Sequence, residues 1–316
     1  MGYFQYLKQN KHYRHLWCGT VSSFLGDWFN TIALYTAAQE LSQDARSIAL
    51  VMVAKTLPPF LVIPIAGPLV DRFDRRKLLL IADFLRCAGA LGLCLSVRGE
   101  SLISLYLITV TMTALGGLAF SAKAAALPQL VKEEDLALAN ALGGGTWSVM
   151  LALGATFGGV AVATLGIEGA LLIDATTFIV SALFFRILPA LPAQAANKTG
   201  ARFREVLSYL KEHPYIASLL AVKPALGLLG GAVILLPFFG SQAFPEARGP
   251  LWVGILYGMR GVGCVIGALW LRHITGDPRQ ALRYFIGWGF AWIGLSYGLL
   301  AYLRSFWGVG FAYLLA

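Results

Sequence analysis

Seven charged residues stand well inside otherwise apolar runs of this chain, away from the run ends: Asp27, Asp83 and Asp174, with Lys55, Arg86, Lys223 and Arg260. A charge at the centre of a bilayer span costs about 2.5–3.5 kcal/mol on insertion scales, so such residues pair, reach water or act. Asp27 comes eleven positions after Leu16, where its apolar run begins, which is about 16 Å along a helix and near the midplane of a span. An apolar setting favours the neutral form of an unpaired carboxyl. Asp27 is therefore a candidate proton carrier, with a packing hydrogen bond to a neighbouring Ser or Trp as the alternative. Arg260 is similarly deep and needs a carboxylate, water or a substrate, and Asp27 is an available partner. Lys55 and Lys223 lie about 10–12 Å from the nearer ends of their runs, close enough for their side chains to snorkel. The spacing of Asp83 and Arg86 suits a local pair on one helix. Asp174, about 9 Å below the outer surface, can line a cavity or pack helices. Four cations against three acids favour a neutral or anionic amphipathic substrate over a lone organic cation, and Trp28, Phe29, Trp147 and Phe178 offer adaptable contact or ordinary packing.

The elements that must carry these residues are membrane helices. With 58% hydrophobic and 13% charged residues and a mean hydropathy of +0.69 over 316 positions, too little polar sequence exists to coat a water-facing globule, which excludes a soluble enzyme and a disordered scaffold. A span needs about 20 mostly apolar residues. Nine such runs lie near Leu16–Ala38, Ile48–Val70, Leu78–Val97, Leu102–Ala122, Leu142–Leu165, Gly169–Leu188, Tyr215–Phe239, Leu251–Leu271 and Ala281–Tyr302. A tenth opens at Phe306 and stops at Ala316, so the chain reads as cut within its tenth span. The fold class is all-α, a polytopic membrane protein.

The net charge of +9 reports topology, not nucleic-acid binding, because the basic residues sit in short clusters between apolar runs. With the N-terminus in the cytoplasm, Lys8, Lys11, Arg14, Arg72, Arg75, Arg76, Lys77, Lys123, Lys132, Arg186, Lys198, Arg202, Arg204, Lys211, Arg272, Arg279 and Arg283 all fall on the inner side. Only Arg46, Arg98, Arg248 and Arg304 fall outside. The polar stretch after the sixth run divides the chain into a six-helix half (1–190), a cytoplasmic linker (191–214) and a second half (215–316). Gly67 and Arg72 after the second run recur as Gly267 and Arg272 after the eighth, as parallel six-helix halves would require. Cys18, Cys87, Cys94 and Cys264 lack metal-ligand spacing and read as small apolar residues.

The loop after the second run reads Gly67-Pro-Leu-Val-Asp71-Arg72-Phe-Asp74-Arg75-Arg76-Lys77. It resembles the loop motif of the major facilitator superfamily, with Asp74 where that motif ordinarily has Gly. Gly67 permits close helix approach, Asp71 beside Arg72 can form a charge-assisted latch at the membrane surface, and Arg75, Arg76 and Lys77 hold the loop inside. Gly154-Ala155-Thr-Phe-Gly158-Gly159 is similar to the superfamily's antiporter motif, with Ala155 in place of its usual Pro. Three further segments resemble the macrolide-efflux and enterobactin-exporter branch: Tyr13 to Trp17 leading to Ser22 to Phe29, Leu127 to Val131, and Asp174 to Phe178. The resemblance implies a 6+6 helix architecture, its second half incomplete here. It further implies a monomeric proton-coupled exporter in the cell (inner) membrane, moving a small drug, macrolide or siderophore-like molecule by alternating access without cofactor or metal.

No phosphate-cradling G-x-x-x-x-G-K-[ST] occurs, so ATP hydrolysis would need a separate subunit. The enzymatic rival is a membrane transferase holding Mg²⁺ on Asp71-x-x-Asp74; a non-functional fragment of a transporter is the other alternative.

Overall fold

The computed structural model describes residues 3–42, 44–193, 203–229, 233, 235–240, 249–275, 278–303 and 305–315. Among these residues there are helices and no strand. A short α1 (Tyr3–Gln9) precedes α2 (Lys11–Ser42), α3 (Ala45–Arg72), α4 (Arg75–Arg98), α5 (Leu102–Leu130) and α6 (Leu136–Ile187). At 52 residues, α6 would be about 78 Å long, over twice the hydrocarbon thickness. It is two spans. Gly166, at φ 75° and ψ 177°, turns the chain between them in a conformation that only glycine adopts readily. The first six apolar runs are thus recovered in place, and the chain is a multi-pass membrane protein.

α3 carries Pro58, Pro59, Pro64 and Pro68. Each proline removes one helical N–H and frees the carbonyl four residues back, an orphan that lipid cannot satisfy. α5 supplies one answer: the Thr113 hydroxyl donates to the Ala54 carbonyl freed by Pro58, at 2.8 Å. The two helices meet closely because Gly117 lacks a side chain, and a Cβ there would stand 2.9 Å from Pro59 Cα.

Beyond the sixth span come α7 (Phe203–Glu212), α8 (Pro214–Leu229), α9 (Leu235–Phe238), α10 (Pro250–Thr275), α11 (Pro278–Leu299) and α12 (Phe306–Leu315). The expected linker is in part helical, as α7, while its residues 194–202 lie outside the described set. The expected seventh run is described as α8 and α9, with residues 230–232 and 234 between them outside it.

The core forms two clusters. One, at the end of the bundle bearing Gly166, joins residues of α2 to α6 to Val253, Leu256 and Tyr257 of α10 and to α12. The other, at the end bearing α1, contains only residues up to Leu191. Among the described residues, the later helices join the core of the first six spans at the end bearing Gly166. On the outside of that packed end Arg98 forks onto Glu168, with Nη2 at 2.6 Å, and this hydrogen bonding holds the Glu168 carboxyl below its ordinary range. The expectation of buried cysteines holds for Cys94, while Cys18, Cys87 and Cys264 are half-buried and all four are free.

Candidate functional site

The intramembrane charges converge on one wall of the bundle. α2 presents Asp27 and Asn30, three apart and so on one face. α6 can press against that face because residue 26 is glycine; a Cβ there would lie 2.6 Å from Asp174 Oδ1 and closer still to the Thr177 side chain. Arg86 reaches across from α4 and donates through Nη2 to Asp27 Oδ1. Its guanidinium carbon sits 4.2 Å from the centroid of the Phe178 ring, a favourable cation–π placement, and its Nη1 is 4.0 Å from Asp83. Beside this pair runs a second chain of contacts. Lys55 Nζ donates to Asn30 Oδ1 at 3.0 Å, and Asn30 Nδ2 donates to Asp174 Oδ2 at 2.9 Å. Asp174 is wholly buried.

These placements alter several sequence expectations. The partner of Asp27 is Arg86, not Arg260 and not a neighbouring Ser or Trp. The expected pair of Arg86 with Asp83 is present, Nη1 lying 4.0 Å from the carboxylate, but Nη2 is taken by Asp27, because spacing along one helix says nothing about what another helix brings closer. Lys55 does not snorkel; its ammonium turns inward to Asn30. Asp174 packs α6 against α2 and does not line the cavity described next. Arg260, on α10, keeps a buried Nε without a hydrogen-bond partner among the described residues. The Lys223 side chain lies outside the described set.

Asp27, Lys55 and Arg86 face a cavity of about 430 Å³ whose wall also includes Phe24, Phe60, Phe120, Lys123 and Trp147. This volume falls in the range of ligand pockets. The Asp27 side chain is 39% exposed while that of Arg86 is 7% exposed, so the carboxylate is the accessible member of the pair. Lys123 was missed from sequence: counted among cytoplasmic loop charges, it belongs to α5, and its Nζ stands 4.8 Å from the Phe24 ring centroid. The signal was present in the spacing of Thr113, Gly116, Gly117, Phe120 and Lys123, steps of three and four that mark one helix face. Asn30, three residues after Asp27, was missed as well.

At the packed end, small residues let three helices meet. A Cβ on Gly154 would stand 2.9 Å from the Trp28 ring, one on Gly158 3.0 Å from the Trp28 carbonyl oxygen, and one on Gly159 2.7 Å from the Pro250 carbonyl oxygen. The antiporter-like segment of α6 is therefore wedged between α2 and α10. Trp28 in turn packs on Tyr257, ring centroids 5.2 Å apart, and the Tyr257 hydroxyl donates to that of Tyr35 at 3.4 Å.

The loop after α3 is tied to the end of α6. Asp74 caps α4 by accepting from the Lys77 N–H at 3.2 Å, and its other oxygen accepts from the Leu191 N–H at 3.1 Å. Asp74 thus performs a capping role that glycine could not. Arg75, buried, donates to the Pro192 carbonyl, and Arg76 Nη2 donates to the Arg186 carbonyl at 2.5 Å. Asp71 and Arg72 are exposed and form no ion pair among the described residues. A Cβ on Gly67 would meet nothing within 4 Å, so close packing at that glycine is not a feature of this conformation.

A family model described as Major Facilitator Superfamily matches residues 16–316. The putative bacilysin exporter BacE of Bacillus subtilis (strain 168) is 30% identical over 285 residues, covering 88% of this chain and 70% of BacE. The enterobactin exporter EntS of Citrobacter koseri is 24% identical over 284 residues, covering 89% and 68% of the two chains. In fold, the chain resembles a bacterial homolog of the human lysosomal transporter Spinster, solved in an inward-facing and unoccupied conformation. The TM-score is 0.66 at 16% identity, over 96% of this chain and 72% of that one.

Proposed function

The chain belongs to the Major Facilitator Superfamily and is a multi-pass membrane transporter, not an enzyme, and from this premise we propose that it exports small amphipathic molecules by alternating access in exchange for protons. The observation that carries the proposal is the Asp27–Arg86 pair on the wall of an aromatic-lined cavity. A half-exposed carboxylate holding a guanidinium across two helices is a switch: protonating Asp27 removes the charge that ties α2 to α4 and leaves the buried Arg86 guanidinium without that counter-charge. In the proposed loading form Asp27 is paired with Arg86. On the return it carries a proton.

The chain is read as residing in the cell membrane with its N-terminus in the cytoplasm, as the distribution of basic residues supports. With that orientation the end where Gly159 meets α10 is the outer one, and it is closed. The two rocking bodies are residues 1–190 and 215–316, joined through 191–214, with Asp71, Arg72 and Gly67 forming a latch in the opposite, outward-open state. The protein is read as acting as a monomer. That relatives carry bacilysin or enterobactin in their names supports export as the direction.

The test is Asp27→Asn in proteoliposomes with an imposed pH gradient and a fluorescent amphiphile as cargo. Gradient-driven movement should be lost while cargo binding persists. Uphill transport at the unsubstituted rate would refute proton coupling through Asp27.

A further inference from the structure

The charge on the cavity wall does not balance. Three cations, Lys55, Arg86 and Lys123, face it against one carboxylate, Asp27, and that carboxylate is already engaged by Arg86. Lys55 is bonded to the neutral oxygen of Asn30, and Lys123 stands over the face of Phe24. Among the described residues neither ammonium has a carboxylate within salt-bridge distance. Asp174 and Asp83 lie behind the wall and reach Lys55 and Lys123 only through space, so holding two ammoniums at the cavity surface with no carboxylate in contact carries a cost. A carboxylate arriving with the cargo would remove that cost, whereas a cationic cargo would add to it. The same wall offers ring surface at Phe60, Phe120 and Trp147, which are 69%, 61% and 47% exposed, and exposed rings inside a pocket suit an aromatic body.

We propose that this cavity binds an aromatic organic anion of the arylcarboxylate class, its acidic group neutralising Lys55 and Lys123 and its ring lying against Phe60, Phe120 and Trp147. The inference deepens the transporter reading by naming the cargo's charge, and it moves the anion site from Arg260 to the first six spans. Lys123 is the specificity-determining residue. A neutral cargo of the same shape would keep the ring contacts and lose only the charge.

Three probes with one apolar body separate the contributions: 1-pyrenebutyrate, 1-pyrenebutanol and the corresponding butyl-trimethylammonium salt. Binding to the purified chain in phosphatidylcholine nanodiscs is read by energy transfer from tryptophan to pyrene, with empty nanodiscs subtracted. The carboxylate should bind about tenfold or more tightly than the alcohol, and the ammonium salt most weakly, as one uncompensated charge contact predicts. Lys123→Gln should abolish the advantage of the carboxylate and leave the alcohol unchanged, and Lys123→Arg should restore it. Equal binding of all three probes would overturn the proposal, as would a carboxylate preference that survives both Lys123→Gln and Lys55→Gln. A pH-gradient transport assay with the same probes keeps the two readings apart. Transport of all three alike would sink the anion site and leave the exporter, whereas charge-selective binding without gradient-driven transport would do the reverse.

Discussion

Gly159→Ala isolates the contact on which closure of one end depends. The added Cβ would lie 2.7 Å from the Pro250 carbonyl oxygen, 3.1 Å from Gly254 Cα and 3.2 Å from Leu251 Cα. All three are backbone atoms, so no rotamer can relieve the clash and α10 itself must move. Overpacking of this kind costs about 1–3 kcal/mol. On the proposed alternating access α10 leaves this face of α6 when that end opens, so the cost should fall on the closed arrangement and shift the closed-to-open ratio by roughly 5- to 140-fold, at 1.4 kcal/mol per tenfold. Spin labels on cysteines at Leu165 and Tyr302, both exposed at that end, report the change as a longer-distance population in double electron–electron resonance, on a background free of native cysteines. Gly145→Ala is the control, since a Cβ there meets nothing within 4 Å. A distance distribution for Gly159→Ala that overlays that of Gly145→Ala would refute the argument. So would a loss of thermal stability with no redistribution, for the cost would then be paid by both states.

Asn30→Ala should lower the thermal unfolding temperature in detergent, because it strands both Asp174 Oδ2 and Lys55 Nζ, and each stranded buried group costs about 1–3 kcal/mol; an unchanged midpoint would mean that water replaces the amide and that the Lys55–Asn30–Asp174 chain is not structural. Asp71→Asn should slow gradient-driven transport in vesicles without changing cargo affinity, since a latch outside the cavity biases one conformation and touches no cargo. Weakened affinity with unaltered turnover per bound molecule would exclude the latch.

What the sequence made legible follows one axis, and what it concealed lies across it. Apolar run length placed the first six spans, and Gly166 divides α6 where the gap between the fifth and sixth runs required. Depth along a helix also picked out Asp27, Asp174 and Arg86 as charges in need of partners. Rotation about the helix axis was the missing coordinate. Arg86 reaches Asp83 on its own helix and Asp27 on α2; the second contact depends on how close α2 and α6 lie, which places Phe178 under the guanidinium, and that approach is set by one absent side chain at Gly26. The glycines themselves were visible as a motif, but a small residue says only that something comes near. Gly158 and Gly159 are adjacent in sequence and face different helices, one meeting α2 and the other α10. A single step of about 100° around α6 therefore separates a contact within the first six spans from the contact that joins them to the later helices, and substitutions at these two neighbours should act on different properties, rigidity of the bundle for Gly158 and its conformational balance for Gly159.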